Sequence, residues 1–118
     1  MSRSRGQGAE SRAEAWLSRR GLRPLKRNVH LAGGELDLVM QDGDCVVFVE
    51  VRHRSQEDYG DALESISPSK RRHLIRAAEA FMAGLEEEQD GRFDVVAING
   101  SLEDGEVEWV ADAFGLDD

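Results

Sequence analysis

The chain is poor in the residues that several kinds of chemistry need. It has one cysteine, Cys45, so no internal disulfide can form, and Cys45 reads as a small core residue. Its three histidines, His30, His53 and His73, have no metal-ligand spacing with one another or with Cys45, which argues against a zinc site. No serine sits in a nucleophile-elbow sequence, and there is no glycine-rich phosphate loop. No apolar run reaches the ~18 residues that suggest a membrane span. The basic opening MSRSRGQGAE is followed by no apolar stretch, so no secretory signal is expected and a cytoplasmic location is. Positive charge is scarce overall, the net charge being −9. Phosphate contacts need Lys and Arg, so the overall balance argues against nucleic-acid binding. That balance hides an asymmetry: residues 1–30 carry +6, residues 31–84 carry −4, and residues 85–118 carry −11. A nucleic-acid surface would have to use the basic first third together with Lys70, Arg71, Arg72 and Arg76.

What is present suffices for one domain with a core: 118 residues, 40% of them hydrophobic. Residues 1–8 carry no apolar stripe and are expected to be disordered; the domain is expected over residues 9–112, with residues 113–118 frayed. Between Gly8 and Arg20, Ala9, Ala13, Trp16 and Leu17 fall on one helical stripe that Gly21 would end. Leu22 to Leu31 reads as a first strand, at an edge because of Pro24. Ala32-Gly33-Gly34 is a turn. Glu35–Met40 and Asp44–His53 are expected strands joined at Asp42-Gly43, a strong hairpin signal. The segment from Arg54 to Ser67 is polar and reads as irregular. Ser67-Pro68 then reads as an N-cap with proline at the first helical position. The helix it opens should run to about Leu85, burying Leu74, Ile75, Ala78, Phe81, Met82 and Leu85. Arg92–Asn99 and Glu106–Ala111 complete the order α-β-β-β-α-β-β, an α/β fold with a mixed sheet packed with helices.

The hairpin carries charge where apolar residues are expected. Side chains alternate along a strand, so Glu35 and Asp37 share a face, as do Glu50 and Arg52 on the next strand. A two-residue Asp42-Gly43 loop would pair Gln41 with Asp44, Asp37 with Phe48, and Glu35 with Glu50, leaving Asp37 and Glu50 diagonal neighbours. Opposed glutamates repel, and a divalent cation is an economical remedy, since hard oxygen ligands suit Mg²⁺ or Mn²⁺. A solvated face with Arg52 and Arg54 pairing the acids explains the same pattern. The third strand, CVVFVEV, is apolar on both sides and therefore central, and charges at the end of a central strand favour a functional role. Trp16 and Trp109 read as core or interface residues rather than base-stacking platforms.

An acidic residue ending one strand, followed by E-x-K on the next, resembles the PD-(D/E)xK nuclease core. The stretches AESRAEAWLSRRG, GGELDLV, VVFVEVRHRS, YGDALESISPSKRRHLIRAAEAFM and RFDVVAI together resemble the YraN-type family of uncharacterised bacterial proteins, distant relatives of archaeal Holliday junction resolvases. The resemblance implies a restriction-endonuclease-like core, a mixed sheet flanked by helices. It also implies an endonuclease-like phosphodiesterase dependent on Mg²⁺ or Mn²⁺ and acting on branched DNA. Glu10, Glu35, Asp37 and Glu50 would hold the metal. Asp37, Glu50, Arg52 and Lys70 would be the catalytic set, and Arg52, Arg54, Lys70, Arg71 and Arg72 would contact nucleic acid. Cutting a junction symmetrically would imply a homodimer. The chain departs from the motif at Arg52, which stands where the motif has lysine. Arginine keeps the charge and binds phosphate, but it does not deprotonate to act as a base. Lys70 could swing in as a substitute, or be a surface lysine in a basic helix turn. The departure and the net acidity also fit a second reading, a binding module of the same fold that takes nucleic acid or a protein partner without cutting.

Overall fold

The computed structural model describes residues 2–54 and 66–115, with side chains from Gly8 onward. Helix α1 spans Ser2–Ser18, β1 Arg23–Leu31, β2 Gly34–Asp42, β3 Cys45–Arg54, α2 Pro68–Ala83, β4 Asp90–Asn99 and β5 Glu106–Phe114. The order is the expected α-β-β-β-α-β-β, and the architecture is consistent with a restriction-endonuclease-like core. The five strands form one mixed sheet in the order β1-β2-β3-β4-β5. Only β3 and β4 run parallel; their connection contains α2, as a parallel pair requires. The stretch 55–65, expected to be irregular, lies outside the described residues.

The apolar pattern of β3 explains its place in the middle. Val46 and Phe48 join Leu74, Ala77, Ala78, Phe93, Val95 and Ala97 in the core under α2. Val47 and Val49 join Ala13, Leu17, Leu38, Met40 and Val96 under α1. Helix α1 begins ahead of the expected Gly8, because a helical backbone can run on where no apolar stripe marks it. It ends at Gly21, whose φ is +99°. Leu22 N–H donates to the Leu17 carbonyl and Gly21 N–H to that of Ser18, the paired bonds of a Schellman cap. Strand β1 is an edge strand, as Pro24 indicates, with a register shift between Pro24 and Lys26. Helix α2 starts as expected, the Ser67 Oγ accepting the Lys70 N–H at 3.1 Å.

Several boundaries differ from the sequence expectation: β4 begins at Asp90 rather than Arg92, and α2 ends at Ala83 rather than about Leu85. The β2–β3 loop is Gly43-Asp44, not Asp42-Gly43, so Asp42 pairs with Cys45 and Val39 with Phe48. Gly43 has φ +59° and occupies the first loop position, the arrangement of a II′ turn. The expected pairs Asp37 with Phe48 and Glu35 with Glu50 therefore do not form. Strand β5 continues past Ala111 to Phe114, which is buried and stacks on Phe93 with ring centroids 4.5 Å apart. Its alternation is broken at Asp112, where φ is +51° and the backbone N–H donates to Asp94 Oδ1 at 2.8 Å. That irregularity is why a period of two loses the strand before its end. Cys45 is half-buried at the start of β3 rather than deep in the core.

Candidate metal and phosphate site

The site lies where the β2–β3 ladder stops. Its last pair before the opening is Leu38 with Val49, so Asp37 and Glu50 are each one step beyond it. Continuing the register would set Asp37 across from Glu50. The strand is irregular here: Leu36 and Val39 both pack into the core under α2, although residues three apart should face opposite ways. Asp37 Oδ2 accepts the Val51 N–H at 3.0 Å, so a side chain takes up a β3 amide beyond the ladder. On the other side, Asn28 falls between the pairs Arg27–Leu38 and Val29–Leu36 and has φ +55°, a left-handed conformation that asparagine tolerates better than most residues. The sheet thus opens around Asp37 from both neighbouring strands.

Glu50 is 3% exposed. Its Oε1 takes the Lys70 ammonium at 3.0 Å, with Arg52 Nη1 farther off at 3.9 Å. Its Oε2 is buried and receives no hydrogen bond from the protein. Burial, and then the neighbouring Asp37 charge, push the Glu50 carboxyl up to about 7 against the pull of Lys70 and Arg52. Burial also raises Asp37, opposed by the Val51 amide and Lys70. Asp37 and Glu50 bear on one another's proton affinity, so the two carboxyls titrate as a pair.

Glu10 reaches this region from α1. It is 8% exposed, and its Oε1 is also buried with no hydrogen-bond partner. Burial, followed by the charge of Asp37, pushes it up to about 7, while a hydrogen bond with the Asn28 side chain favours ionisation. Glu35 is placed differently: its side chain is half-exposed and stands 3.9 Å from His30 Nε2. Its charge is felt at both Glu10 and Asp37, which puts it at the rim. Among the described residues no three Asp, Glu, His or Cys side chains are gathered so as to hold a metal ion. What the site offers is two buried carboxylate oxygens without donors, beside a third acid. That donor set fits a hard divalent cation and does not fit a soft one.

Lys70 is exposed, its side chain 44% accessible, yet its ammonium reaches inward. With Leu74, Ala77, Ala78 and Phe81 it follows the helical repeat, so it extends the stripe facing the sheet by one turn, toward Glu50. Of the other expected phosphate contacts, Arg72 is exposed and Arg52 partly so. Arg54 is held within the sheet, its Nε donating to Asn99 Oδ1 at 2.9 Å and its Nη2 lying 3.1 Å from Glu108 Oε1. Arg71 places its guanidinium 5.4 Å from the Phe114 ring. His30, His53 and His73 do not gather: His53 Nε2 lies 2.9 Å from the Gly100 carbonyl. Trp16 and Trp109 meet edge-on at 5.7 Å, as packing residues do.

Two residues to which the sequence reading gave no role matter here. Asn28 is one, and its signal was a poor strand former between Arg27 and Val29. Asp94 is the other. It is fully buried and accepts from Arg92 Nε at 3.0 Å, Trp109 Nε1 at 3.0 Å and the Asp112 amide. It closes β4 against the bulge in β5 and lies apart from the acids above.

The chain matches the family model of uncharacterised protein family UPF0102 over residues 9–98. It is 45% identical over 115 residues to a UPF0102 protein of Dechloromonas aromatica (strain RCB), covering 98% of this chain and 92% of that one. It is 50% identical over 112 residues to a UPF0102 protein of Halorhodospira halophila (strain DSM 244 / SL1), covering 95% and 88%. A UPF0102 protein of Stutzerimonas stutzeri (strain A1501) is 47% identical over 115 residues, covering 96% of each chain.

Proposed function

The chain belongs to uncharacterised protein family UPF0102, and we propose that it binds a divalent cation, Mg²⁺ or Mn²⁺, and acts on the phosphodiester backbone of structured DNA. The observation that supports this reading is the pair of buried, donorless oxygens, Glu50 Oε2 and Glu10 Oε1, on acids from separate elements that both feel the charge of Asp37. Leaving a buried carboxylate oxygen without a partner costs on the order of 1–3 kcal/mol, and a bound cation removes that cost. Asp37, Glu50 and Glu10 would hold the ion, with Glu35 at the rim. When bound, the ion would polarise a phosphoryl oxygen and acidify water. Lys70 and Arg52 would neutralise charge developing on the phosphate, and the exposed Arg72 would hold the neighbouring backbone. The test is calorimetric titration with Mn²⁺ of the wild type and of Asp37→Ala, followed by a nicking assay on branched DNA. Heat of binding lost in Asp37→Ala is expected; identical flat traces would remove the metal.

The contact between Lys70 and Glu50 favours a second reading. An internal ammonium already compensates Glu50, as a cation would, so the site can be stable without metal, and the fold would then serve binding alone. Comparing wild type with Arg52→Lys decides between the two. Cleavage gained by Arg52→Lys and absent from wild type would establish the binding module.

A further inference from the structure

Gly34 opens β2, three residues before Asp37. Its φ is not in the left-handed range, unlike that of Gly33 at +80°, so the turn does not demand glycine here. Space does. A Cβ on Gly34 would lie 2.6 Å from the His73 carbonyl oxygen and 3.2 Å from the Ala77 Cβ. The first of these is backbone, which no rotamer change can move aside. Helix α2 therefore sits on β2 at a distance only glycine permits. Lys70 is one helical turn before His73, on the same stripe, and its ammonium reaches Glu50 Oε1 at 3.0 Å.

We propose that Gly34 is a positioning residue: the close seat of α2 on Gly34 sets Lys70 against Glu50. A methyl at Gly34 would have to move the His73 carbonyl from 2.6 Å to an ordinary contact of at least 3.4 Å. That displacement exceeds the margin between a 3.0 Å bond and the ~3.2 Å limit of a good one. The hairpin that carries Asp37 thus also fixes the cation across from it. The consequence for catalysis rests on the function proposed above; the positioning itself does not.

The experiment follows the ammonium protons of Lys70 by ¹H–¹⁵N NMR in the metal-free protein. In Gly34→Ala their exchange with water should accelerate about fivefold, the weight of a half-exposed ion pair. Leu17→Ala, which opens a cavity under the opposite helix, should leave that rate unchanged, so general loosening is excluded as the cause. Glu50→Gln should raise the rate by itself, and Gly34→Ala should add nothing to it. An unchanged rate in folded Gly34→Ala would overturn the proposal, and so would a further rise on top of Glu50→Gln. If Gly34→Ala does not fold, Ala77→Val wedges the same contact from the helix side, and an unchanged rate there is equally fatal. No metal or DNA is present in these measurements, so failure of the nuclease reading and failure of this one are separately visible.

Discussion

Replacing Glu50 with glutamine should stabilise the metal-free protein, and should do so only at neutral and alkaline pH. Glu50 is 3% exposed and its carboxyl is raised from 4.5 to about 7. Each pKa unit is worth about 1.4 kcal/mol, so ionised Glu50 penalises the folded state by about 3 kcal/mol, net of the Lys70 contact. The sign follows from proton binding. The folded protein holds this proton more tightly than the unfolded chain, so the stability it contributes is complete below pH 4.5. It is lost progressively as pH rises from there, and the loss levels off above about 7. Glutamine mimics the protonated acid at every pH and removes that loss. Wild type and Glu50→Gln should therefore unfold alike at pH 4, whereas at pH 8 the variant should melt roughly 10 °C higher. Urea denaturation with a chelator present, at both pH values, gives the free energies. Mn²⁺ should then reverse the order at pH 8, because a ligand that binds only the folded wild type stabilises it by mass action. A Glu50→Gln protein no more stable than wild type at pH 8 would refute the reasoning, since the carboxylate would then be satisfied by groups the fold already supplies.

Lys70→Met should lower stability by about 1 kcal/mol at pH 8, a value held down by the partial exposure of the lysine, and by nothing at pH 4, where Glu50 is protonated. Asp94→Ala should cost about 2 kcal/mol in urea denaturation, because the half-buried donors of Arg92 and Trp109 lose their fully buried acceptor, while Arg92 keeps Asp42. Its Trp fluorescence should also change, as the Trp109 indole loses its acceptor. Ser67→Ala should cost about 1 kcal/mol by removing the cap on the Lys70 amide, and circular dichroism should show fraying at the start of α2.

The elements were legible because their signals were local and periodic. Gly21 with its cap, Pro24 on an edge, Ser67-Pro68 opening α2 and CVVFVEV in the centre each state their role within a few residues. The register of β2 against β3 was not, because Gly43 fits either position of a two-residue turn. Sliding the loop by one residue changes every partner while leaving each face intact. That is why Asp37 and Glu50 could be assigned to one region and Glu35 misassigned as the residue opposite Glu50. Asn28 and Asp94 escaped for another reason: their partners, Glu10 and the Asp112 amide, are remote in sequence, and no spacing rule links them. Gly34 was read as part of a turn, whereas its requirement comes from a helix almost forty residues away.

The departure at Arg52 looks different once α2 is in place. A strand cation beside Glu50 is fixed by the same backbone that fixes the acid, and Arg52 stands at 3.9 Å with its side chain 31% exposed. Lys70 stands at 3.0 Å and belongs to another element, so its distance depends on how α2 is seated. A lysine also differs from an arginine as a partner, since an arginine remains charged at every working pH. Moving the close cation from strand to helix therefore turns a fixed contact into an adjustable one. Whatever shifts α2, a substitution at Gly34, a ligand against Arg72 or loss of the Ser67 cap, should be felt at Glu50 as a change in its proton affinity. The raised Glu50 carboxyl makes that change readable by NMR titration: Ser67→Ala should raise it further, and Arg72→Ala, which removes only an exposed charge, should not.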